Sequence, residues 1–258
     1  MSAALILTAV VAATLASVTT AVVMRRCGSI TQYAVTDEQI SAHEIRTPLS
    51  LIQSAAELLA HESEITAEQR SRLISTITAN STRAIEVAET FLLHAKFSSG
   101  NLKITFADCD LRSLLRETAQ ELRAISEVPI IVDDPGDPLV IRADVQLIRH
   151  ALWNVINNAA RYAAAESDIV VNVEETARGA IITIADCGPG MSPHQQRDVF
   201  IPFAQFNTST STKTPIGAGL GMSITQKIVE LHQGTVLIDS IAQHGTSVLI
   251  TLPRNPNV

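Results

Sequence analysis

Hydrophobic residues fill the first part of the chain almost without interruption. From Ser2 to Met24 the sequence has no charged residue, no Gly and no Pro, and its polar members are only Ser and Thr. At a rise of ~1.5 Å per residue, a helix of this length spans the ~30 Å hydrocarbon core of a bilayer. The pattern predicts a single N-terminal transmembrane helix, within an anchor formed by residues 1–26.

The charges beside this segment predict its orientation. Arg25 and Arg26 follow it directly and no basic side chain precedes it, so the positive-inside bias puts residues 25–258 in the cytoplasm. We therefore expect a single-pass protein of the inner (cytoplasmic) membrane. The alternative is a cleaved signal peptide, which typically has a basic start and a shorter apolar run. The polar connector at 27–35 is too short for a sensor domain, since a domain without staples needs ~40 residues.

Residues 36–99 have the apolar spacing of two amphipathic helices. Thr36 and Gln39 have the form of a capping box, Pro48 predicts a bend in the first helix, and a polar turn follows at 62–66. A lone all-α hairpin leaves half of its apolar surface wet, so we expect a homodimer built as a four-helix bundle. The predicted buried stripes are Ile40, Ile45, Leu49, Ile52, Ala56 and Leu59 on the first helix, and Leu73, Ile77, Ala84, Ala88 and Leu92 on the second.

Residues 100–254 alternate between segments with the apolar pattern of strands and segments with the apolar pattern of helices. Short apolar runs predict strands, longer amphipathic runs predict helices, and a turn dense in Asp, Pro and Gly lies at 133–138. This pattern predicts an α/β sandwich with a mostly antiparallel sheet and its helices on one face. The predicted strands are 104–107, 130–132, 169–174, 180–185, 235–240 and 246–252, and the predicted helices are 111–125, 144–165 and 220–231.

Composition narrows the possible functions. Hydrophobic residues make up 46% of the chain, which is ample for a packed core. The net charge is −7 and the chain has no long Lys/Arg cluster, so we expect no direct binding of nucleic acid. The three cysteines form no CxxC pair and have no His at metal-ligand spacing, which is typical of free thiols.

Two asparagines on the predicted helix 144–165 form the first candidate site. Asn154 and Asn158 are four residues apart and therefore face the same direction, next to the apolar stripe. Neutral amide oxygens suit Mg²⁺, which takes few protein ligands when phosphates complete its shell. A solvated helix face is the alternative interpretation of the same pair.

Three further motifs follow in the chain. Asp186-Cys187-Gly188-Pro189-Gly190 comes directly after a predicted strand, where the glycines let the backbone approach a ligand and the carboxylate can accept from an exocyclic amine. Phe200-Ile201-Pro202-Phe203 precedes a Thr/Ser-rich stretch and is either the anchor of a lid or a plain hydrophobic tether. Gly217-Ala218-Gly219-Leu220-Gly221 opens a helix whose N–H groups can hold phosphates. Each motif alone is also typical of an ordinary turn.

Residues 41–50, SAHEIRTPLS, resemble the phosphoacceptor box of sensor histidine kinases. The resemblance implies that His43 is the phosphorylated imidazole. Glu44 would then serve as its base, because the attacking nitrogen must be neutral. Thr47 would complete, with Glu44, a pattern that resembles the family's phosphatase motif.

The four later motifs resemble, in order and spacing, the nucleotide-binding boxes of the histidine-kinase ATPase domain, a Bergerat fold. The resemblance covers residues 37–253 and implies ATP and Mg²⁺. The lid departs from the family, because Pro215 lies within it and Lys213 is its only cation. The implied roles are Mg²⁺ ligation by Asn158, support by Asn154, phosphate binding by Arg161 and Lys213, nucleotide contact by Tyr162, adenine recognition by Asp186 with Gly188 and Gly190, and lid closure by Gly217, Gly219, Leu220 and Gly221.

The resemblance implies an ATP-dependent protein-histidine kinase with a cytoplasmic catalytic region. The chain would divide into an anchor (1–26), a connector (27–35), a phosphotransfer hairpin (36–99) and a catalytic ATP-binding domain (100–254). The phosphoryl group would pass from His43 to an aspartate in the receiver domain of a response regulator. Two alternatives stay open, a phosphatase-biased or pseudokinase regulator and a scaffold that binds a response regulator. An ATPase of the gyrase or Hsp90 kind is not expected, because those proteins lack a hairpin that carries a histidine such as His43.

Overall fold

The structure is a computed structural model that describes residues 44–61, 65–133, 135–164, 167–206 and 218–256. The predicted anchor, the connector and His43 therefore lie outside the described residues. Within the described ranges, no helix combines the length and the apolar character needed to cross a membrane. The chain divides into two units, residues 1–47 and 48–258. Of the first unit, only residues 44–47 are described.

Two long helices are followed by a domain of mixed strands and helices. The helices are α1 (residues 44–61), α2 (Ala67–Ser98), α3 (Leu111–Arg123), α4 (Val145–Tyr162), α5 (Pro193–Asp198) and α6 (Gly221–Leu231). The strands are β1 (Ala107–Asp110), β2 (Ile130–Asp133), β3 (Val140–Ala143), β4 (Ile169–Thr176), β5 (Gly179–Asp186), β6 (Thr235–Ile241) and β7 (Gly245–Pro253).

Helix α2 begins at a capping box. The Thr66 hydroxyl accepts from the N–H of Gln69 at 3.2 Å, and the Gln69 side chain accepts from the N–H of Thr66 at 2.9 Å. Two orphan amides of the first turn are thereby satisfied, which fixes the start of the helix. The predicted polar turn at 62–66 therefore ends where α2 begins.

The predicted apolar stripes of the two long helices are only partly buried. Leu49 is 51% exposed and Leu92 is 63% exposed, whereas Val87, Leu93 and Ala55 are buried. Leu49, Ala56 and Leu92 are therefore exposed in a single chain, and their burial in the predicted dimer stays a prediction. Helix α1 also continues through Pro48. One side of α2 faces the α/β domain that follows it, and this packing covers Val87 and Leu93, which the predicted stripe did not include.

Five strands form the main sheet in the order β2-β4-β5-β7-β6. Strand β2 is parallel to β4, and the other neighbours are antiparallel. Helices α3, α4 and α6 pack against this sheet. The central register places Ile182 opposite Val173 and Ile250, and all three side chains are buried. The predicted α/β sandwich with a mostly antiparallel sheet is thus confirmed.

The largest errors of the sequence prediction lie at a second, two-stranded sheet. The predicted strand 104–107 is wrong, because β1 begins at Ala107 and pairs with β3, which was not predicted. The N–H of Thr105 instead donates to the Asp144 carboxylate at 2.9 Å, so the segment before β1 is fixed to the start of α4. The short helix α5 was also missed. It contains a single turn and a half, too few residues for a periodic signal.

Two predicted helices are too long at their C-termini. Helix α3 ends at Arg123 and helix α4 at Tyr162. Ala163 closes α4 with an extended backbone at ψ 150, so residues 163 and 164 do not continue the helix. Asp110 and Asp144 are the N-caps of these two helices, since each carboxylate accepts from an amide of its own first turn.

His232, at the C-terminus of α6, contacts the start of α4 and the segment before β1. Its Nε2 accepts from the N–H of Asp144 at 2.9 Å, and its Nδ1 lies 2.7 Å from the carbonyl of Ile228. Because Nε2 is an acceptor, the ring proton is on Nδ1, which donates to that carbonyl. The ring is 1% exposed and meets the edge of Phe106 at 5.3 Å. Burial accordingly lowers the pKa of His232 below the ordinary histidine value.

We expect the free energy of unfolding to fall as the pH drops below about 6.5. The unfolded chain protonates His232 near that pH, whereas the folded chain does so only at a lower pH, so acid favours unfolding by up to about 1.4 kcal/mol per pH unit. The measurement is chemical denaturation between about pH 7.5 and about pH 5.5. His232→Gln is expected to be less stable near neutrality but to show a weaker dependence on pH.

His150→Gln serves as a control for this experiment, because burial also lowers the pKa of His150. The two variants separate the contribution of each ring to the pH slope. A His232→Gln slope equal to that of the wild type would contradict the assignment to His232.

Candidate active site

A cavity opens between α2, α4, the loop after β5 and the N-terminus of α6. It contains most of the nucleotide-binding residues that the sequence predicted and that the structure describes. These are Asn154, Asn158, Arg161, Tyr162, Asp186, Gly190, Gly219, Leu220 and Gly221. Lys213 and Gly217 lie outside the described residues.

Helix α4 positions the two asparagines through its buried face. Ala151, Leu152 and Val155 are each 1% exposed and fix the rotation of the helix. Asn154 and Asn158 then lie at the edge of this face and line the cavity. The site results from a helical period of 3.6 residues, which puts positions 154 and 158 one turn apart.

The surroundings of Asn154 fit a bound polar group. Its Nδ2 is buried and has no hydrogen-bond partner among the described residues. A Cβ at Gly221 would lie 3.5 Å from the Asn154 Oδ1, at ordinary van der Waals distance, so the start of α6 packs directly beside this amide. Buried donors are almost always paired, so an orphan donor facing a cavity is suited to an acceptor oxygen of a ligand or its water. Asn158 adds an amide oxygen of the kind that Mg²⁺ accepts.

Asp186 ends β5 inside the cavity. Its Oδ1 accepts from the N–H of Gly188 at 2.8 Å, and the backbone of Thr246 also donates to the carboxylate. Burial raises the pKa of Asp186 although both of these hydrogen bonds lower it. A buried carboxylate with a fixed orientation and spare lone pairs is a strong acceptor for an amino group.

The two predicted glycines after Asp186 have different positions. Gly190 lines the cavity with φ +62, and a Cβ there would lie 2.0 Å from the carbonyl oxygen of Ile241. Gly188 is not part of the lining but packs against the end of α4, where a Cβ would lie 2.4 Å from the carbonyl oxygen of Tyr162. Both positions exclude a side chain, because the backbone passes too close.

The edges of the predicted lid meet at Phe203 and Gly219. Phe203 has φ 65, which is uncommon for a residue with a side chain, and its N–H donates to the carbonyl of Gly219 at 2.9 Å. Gly219 has φ +68, and a Cβ there would lie 2.6 Å from the carbonyl oxygen of Ala204. This contact joins the two ends of the segment 207–217, which the structure does not describe.

The N-terminus of α6 faces the cavity without a side-chain cap. Its N-cap residue, Leu220, is 1% exposed and makes no capping hydrogen bond. The first-turn amides of a helix need acceptors, and together with the helix dipole they favour an anion. The start of α6 therefore fits the phosphate position that the sequence predicted for Gly219, Leu220 and Gly221.

Three residues of α2 also line the cavity, although the sequence did not predict them. They are Glu86, Val87 and Thr90. The Glu86 carboxylate is 3.2 Å from the Arg161 guanidinium and accepts from the Asn157 amide at 3.4 Å. Burial raises the pKa of Glu86, and the charge of Arg161 offsets this in part. No local motif marks these residues, since they reach the site only through the packing of α2.

The predicted phosphatase pair lies on α1. Glu44 and Thr47 are three positions apart and therefore one turn from each other, with Glu44 half-buried and Thr47 exposed. His43, immediately before Glu44, lies outside the described residues. The roles assigned to all three residues stay predictions.

The fold and the cavity together define a class of protein: a nucleotide-binding α/β domain that follows a pair of long helices. Residues 143–256 match the family described as "Histidine kinase-, DNA gyrase B-, and HSP90-like ATPase". Residues 40–100 match the "His Kinase A (phospho-acceptor) domain". The chain belongs to the sensor histidine kinases.

Individual relatives agree with this family. The chain is 26% identical over 213 residues to the "Sensor protein KdpD" of Escherichia coli (strain K12), covering 83% of this chain and 24% of KdpD. It is 28% identical over 221 residues to the "Alginate biosynthesis sensor protein KinB" of Pseudomonas aeruginosa, covering 83% of this chain and 36% of KinB. The chain thus spans well under half the length of these two relatives.

A solved structure shows the same fold. The "Mycobacterial sensor histidine kinase MprB" superposes with a TM-score of 0.51 at 25% sequence identity. The superposition covers 59% of this chain and 100% of that structure. The similarity supports the assignment of the chain to this family.

We expect Asp186→Asn to weaken ATP binding about ten- to a hundredfold, because a hydrogen bond to a charged acceptor contributes ~1.5–3 kcal/mol. The measurement is calorimetric titration of the protein with ATP. Asp168→Asn, at an exposed aspartate outside the cavity, is the matched control and should bind as the wild type does. An unchanged affinity in Asp186→Asn would contradict the predicted role in adenine recognition.

Proposed function

We propose that the chain is a membrane-anchored sensor histidine kinase that transfers the γ-phosphoryl group of ATP to His43. The phosphoryl group would then pass to an aspartate of a response-regulator receiver domain. The observation that supports this most is the cavity, which gathers Asn154, Asn158, Asp186 and the N-terminus of α6 in a chain that also has the phosphoacceptor box.

Each part of the cavity has a role in this proposal. The Asp186 carboxylate accepts from the adenine amino group, while the amides of α6 and the guanidinium of Arg161 bind the phosphates. Asn158 is the ligand for Mg²⁺, supported by Asn154. When bound, the metal ion would neutralise charge on the phosphate oxygens.

The residues of the phosphoacceptor box perform the chemical step. A ring nitrogen of His43 forms the new P–N bond while the bond from the γ-phosphorus to the ADP oxygen breaks. Glu44 accepts the proton of the imidazole, which keeps the attacking nitrogen nucleophilic. Positioning and electrostatics supply most of the catalysis in phosphoryl transfer, so the fold matters more than acid–base strength.

The exposed apolar side chains of the long helices support a homodimer. Leu49, Leu51, Leu58, Ile74, Ile85 and Leu92 are all more than 44% exposed in the single chain. Burying a leucine or isoleucine contributes about 1.5–3 kcal/mol, so two copies gain substantially by covering these residues in a four-helix bundle. The apolar run at Ser2–Met24 supports a membrane partner, with the catalytic region on the cytoplasmic side of the inner membrane.

A phosphatase-biased or pseudokinase regulator is the second candidate. It is favoured by the positions of Glu44 and Thr47, one turn apart on α1, where Thr47 is exposed and its hydroxyl could orient a water. In this case ATP would set only the conformation of the chain. A time course with a phosphorylated receiver domain separates the two, since a phosphatase shortens the lifetime of the phosphoaspartate.

We expect His43→Gln to abolish incorporation of ³²P from γ-labelled ATP while nucleotide affinity is unchanged, because the proposed role of the imidazole is to accept the phosphoryl group and not to bind the nucleotide. His61→Gln, at an exposed histidine of α1, is the control and should label normally. Acid lability and alkali stability of the label identify phosphohistidine. Continued labelling of His43→Gln would refute the assignment.

We expect Asn158→Ala to lose the part of ATP affinity that depends on Mg²⁺. The measurement is binding of a fluorescent ATP analogue with and without Mg²⁺. Asn101→Ala, at an exposed residue outside the cavity, should retain the effect of the metal. If Mg²⁺ raises the affinity of Asn158→Ala for the analogue as much as that of the wild type, Asn158 is excluded as the ligand.

A further inference from the structure

Helix α2 forms one wall of the nucleotide cavity. Glu86, Val87 and Thr90 line it at successive positions on one face of the helix. The same helix belongs to the part of the chain that matches the phosphoacceptor domain. The hairpin is therefore in direct contact with the site that is proposed to bind ATP.

Two further contacts hold α2 in this position. The ring of His94 meets the edge of Phe203 with 5.6 Å between centroids, next to the edge of the lid segment. The ammonium of Lys227 on α6 lies 5.7 Å from the centroid of the Phe97 ring. Glu86, His94 and Phe97 thus lie along one side of α2, and each contacts a different part of the ATP-binding domain.

The negative charge of Glu86 opposes the binding of a triphosphate in this cavity. The Arg161 guanidinium lines the cavity and is 3.2 Å from the Glu86 carboxylate. The side chains of Glu86 and Arg161 are 19% and 29% exposed, so solvent screens the pair only in part. A phosphate and a carboxylate compete for the same guanidinium, and two anions at close range repel each other.

We propose that Glu86 and the phosphates of the nucleotide compete for Arg161, so that docking of α2 on the ATP-binding domain opposes nucleotide binding. The inference rests on the proposed function of the cavity. Such coupling is reciprocal: the docked hairpin weakens nucleotide binding, and the nucleotide weakens docking by the same factor. Glu86 then acts as a built-in inhibitory anion that lowers ATP affinity while α2 covers the site.

The test compares Glu86→Gln with Glu89→Gln in the full-length chain. Glu89 is exposed on the same helix and outside the cavity, so its variant changes the net charge equally without touching Arg161. We expect Glu86→Gln to bind ATP about fivefold more tightly than the wild type, as for loss of a competing ion pair of ~1 kcal/mol. Glu89→Gln should match the wild type. Glu86→Ala, which removes the carboxylate without adding an amide, should show the same gain.

Salt separates charge competition from a looser structure. Between about 0.05 M and about 0.5 M salt, the advantage of Glu86→Gln should shrink, because screening weakens the pair in the wild type. A gain that does not depend on salt would overturn the proposal, and so would weaker or unchanged ATP binding in both Glu86 variants. Failure of the wild type itself to bind ATP would overturn the proposed function as well, which distinguishes the two failures.

Discussion

The burial of α4 between the sheet, α3 and α6 is the constraint on which the site depends. Its apolar face is held so tightly that rotation of the helix would expose several side chains at about 1.5–3 kcal/mol each. That face therefore fixes where Asn154, Asn158 and Arg161 stand relative to β5 and α6. The polar edge of α4 has little freedom, so the cavity is formed before any ligand enters.

The cavity places two carboxylates in different surroundings. Asp186 is held by backbone N–H groups of its own loop and of β7, whereas Glu86 comes from α2 and is held by side chains of α4. Burial raises the pKa of both groups, and neighbouring donors offset part of the effect. A carboxylate fixed by the backbone is suited to permanent recognition. A carboxylate fixed by a side chain of another element can leave when that element moves.

The sequence predicted best those elements that depend on interactions between residues close together in the chain, and worst those that depend on contacts between distant segments. Elements with a long periodic pattern, such as α4 and β7, were predicted to within a few residues. The strand at β1 was misplaced by three residues, because its four residues have little apolar alternation and pair with β3, a strand of only four residues that was not predicted. The burial of Val87 and Leu93 was missed for a related reason. Packing of α2 against the ATP-binding domain, rather than the helical period alone, decides which residues are covered.

The sequence by itself determined the class of fold and the polar residues that line the cavity, and its resemblance to a phosphoacceptor box pointed to His43. These features depend on local rules: residues four apart share a helix face, glycines permit close backbone approach, and a carboxylate after a strand points from the sheet edge. Only the tertiary structure decided that α2 closes one side of the cavity and that Glu86 reaches Arg161, 75 positions further along the chain. A contact over such a separation is set by the packing of whole elements, and no pattern of neighbouring residues encodes it.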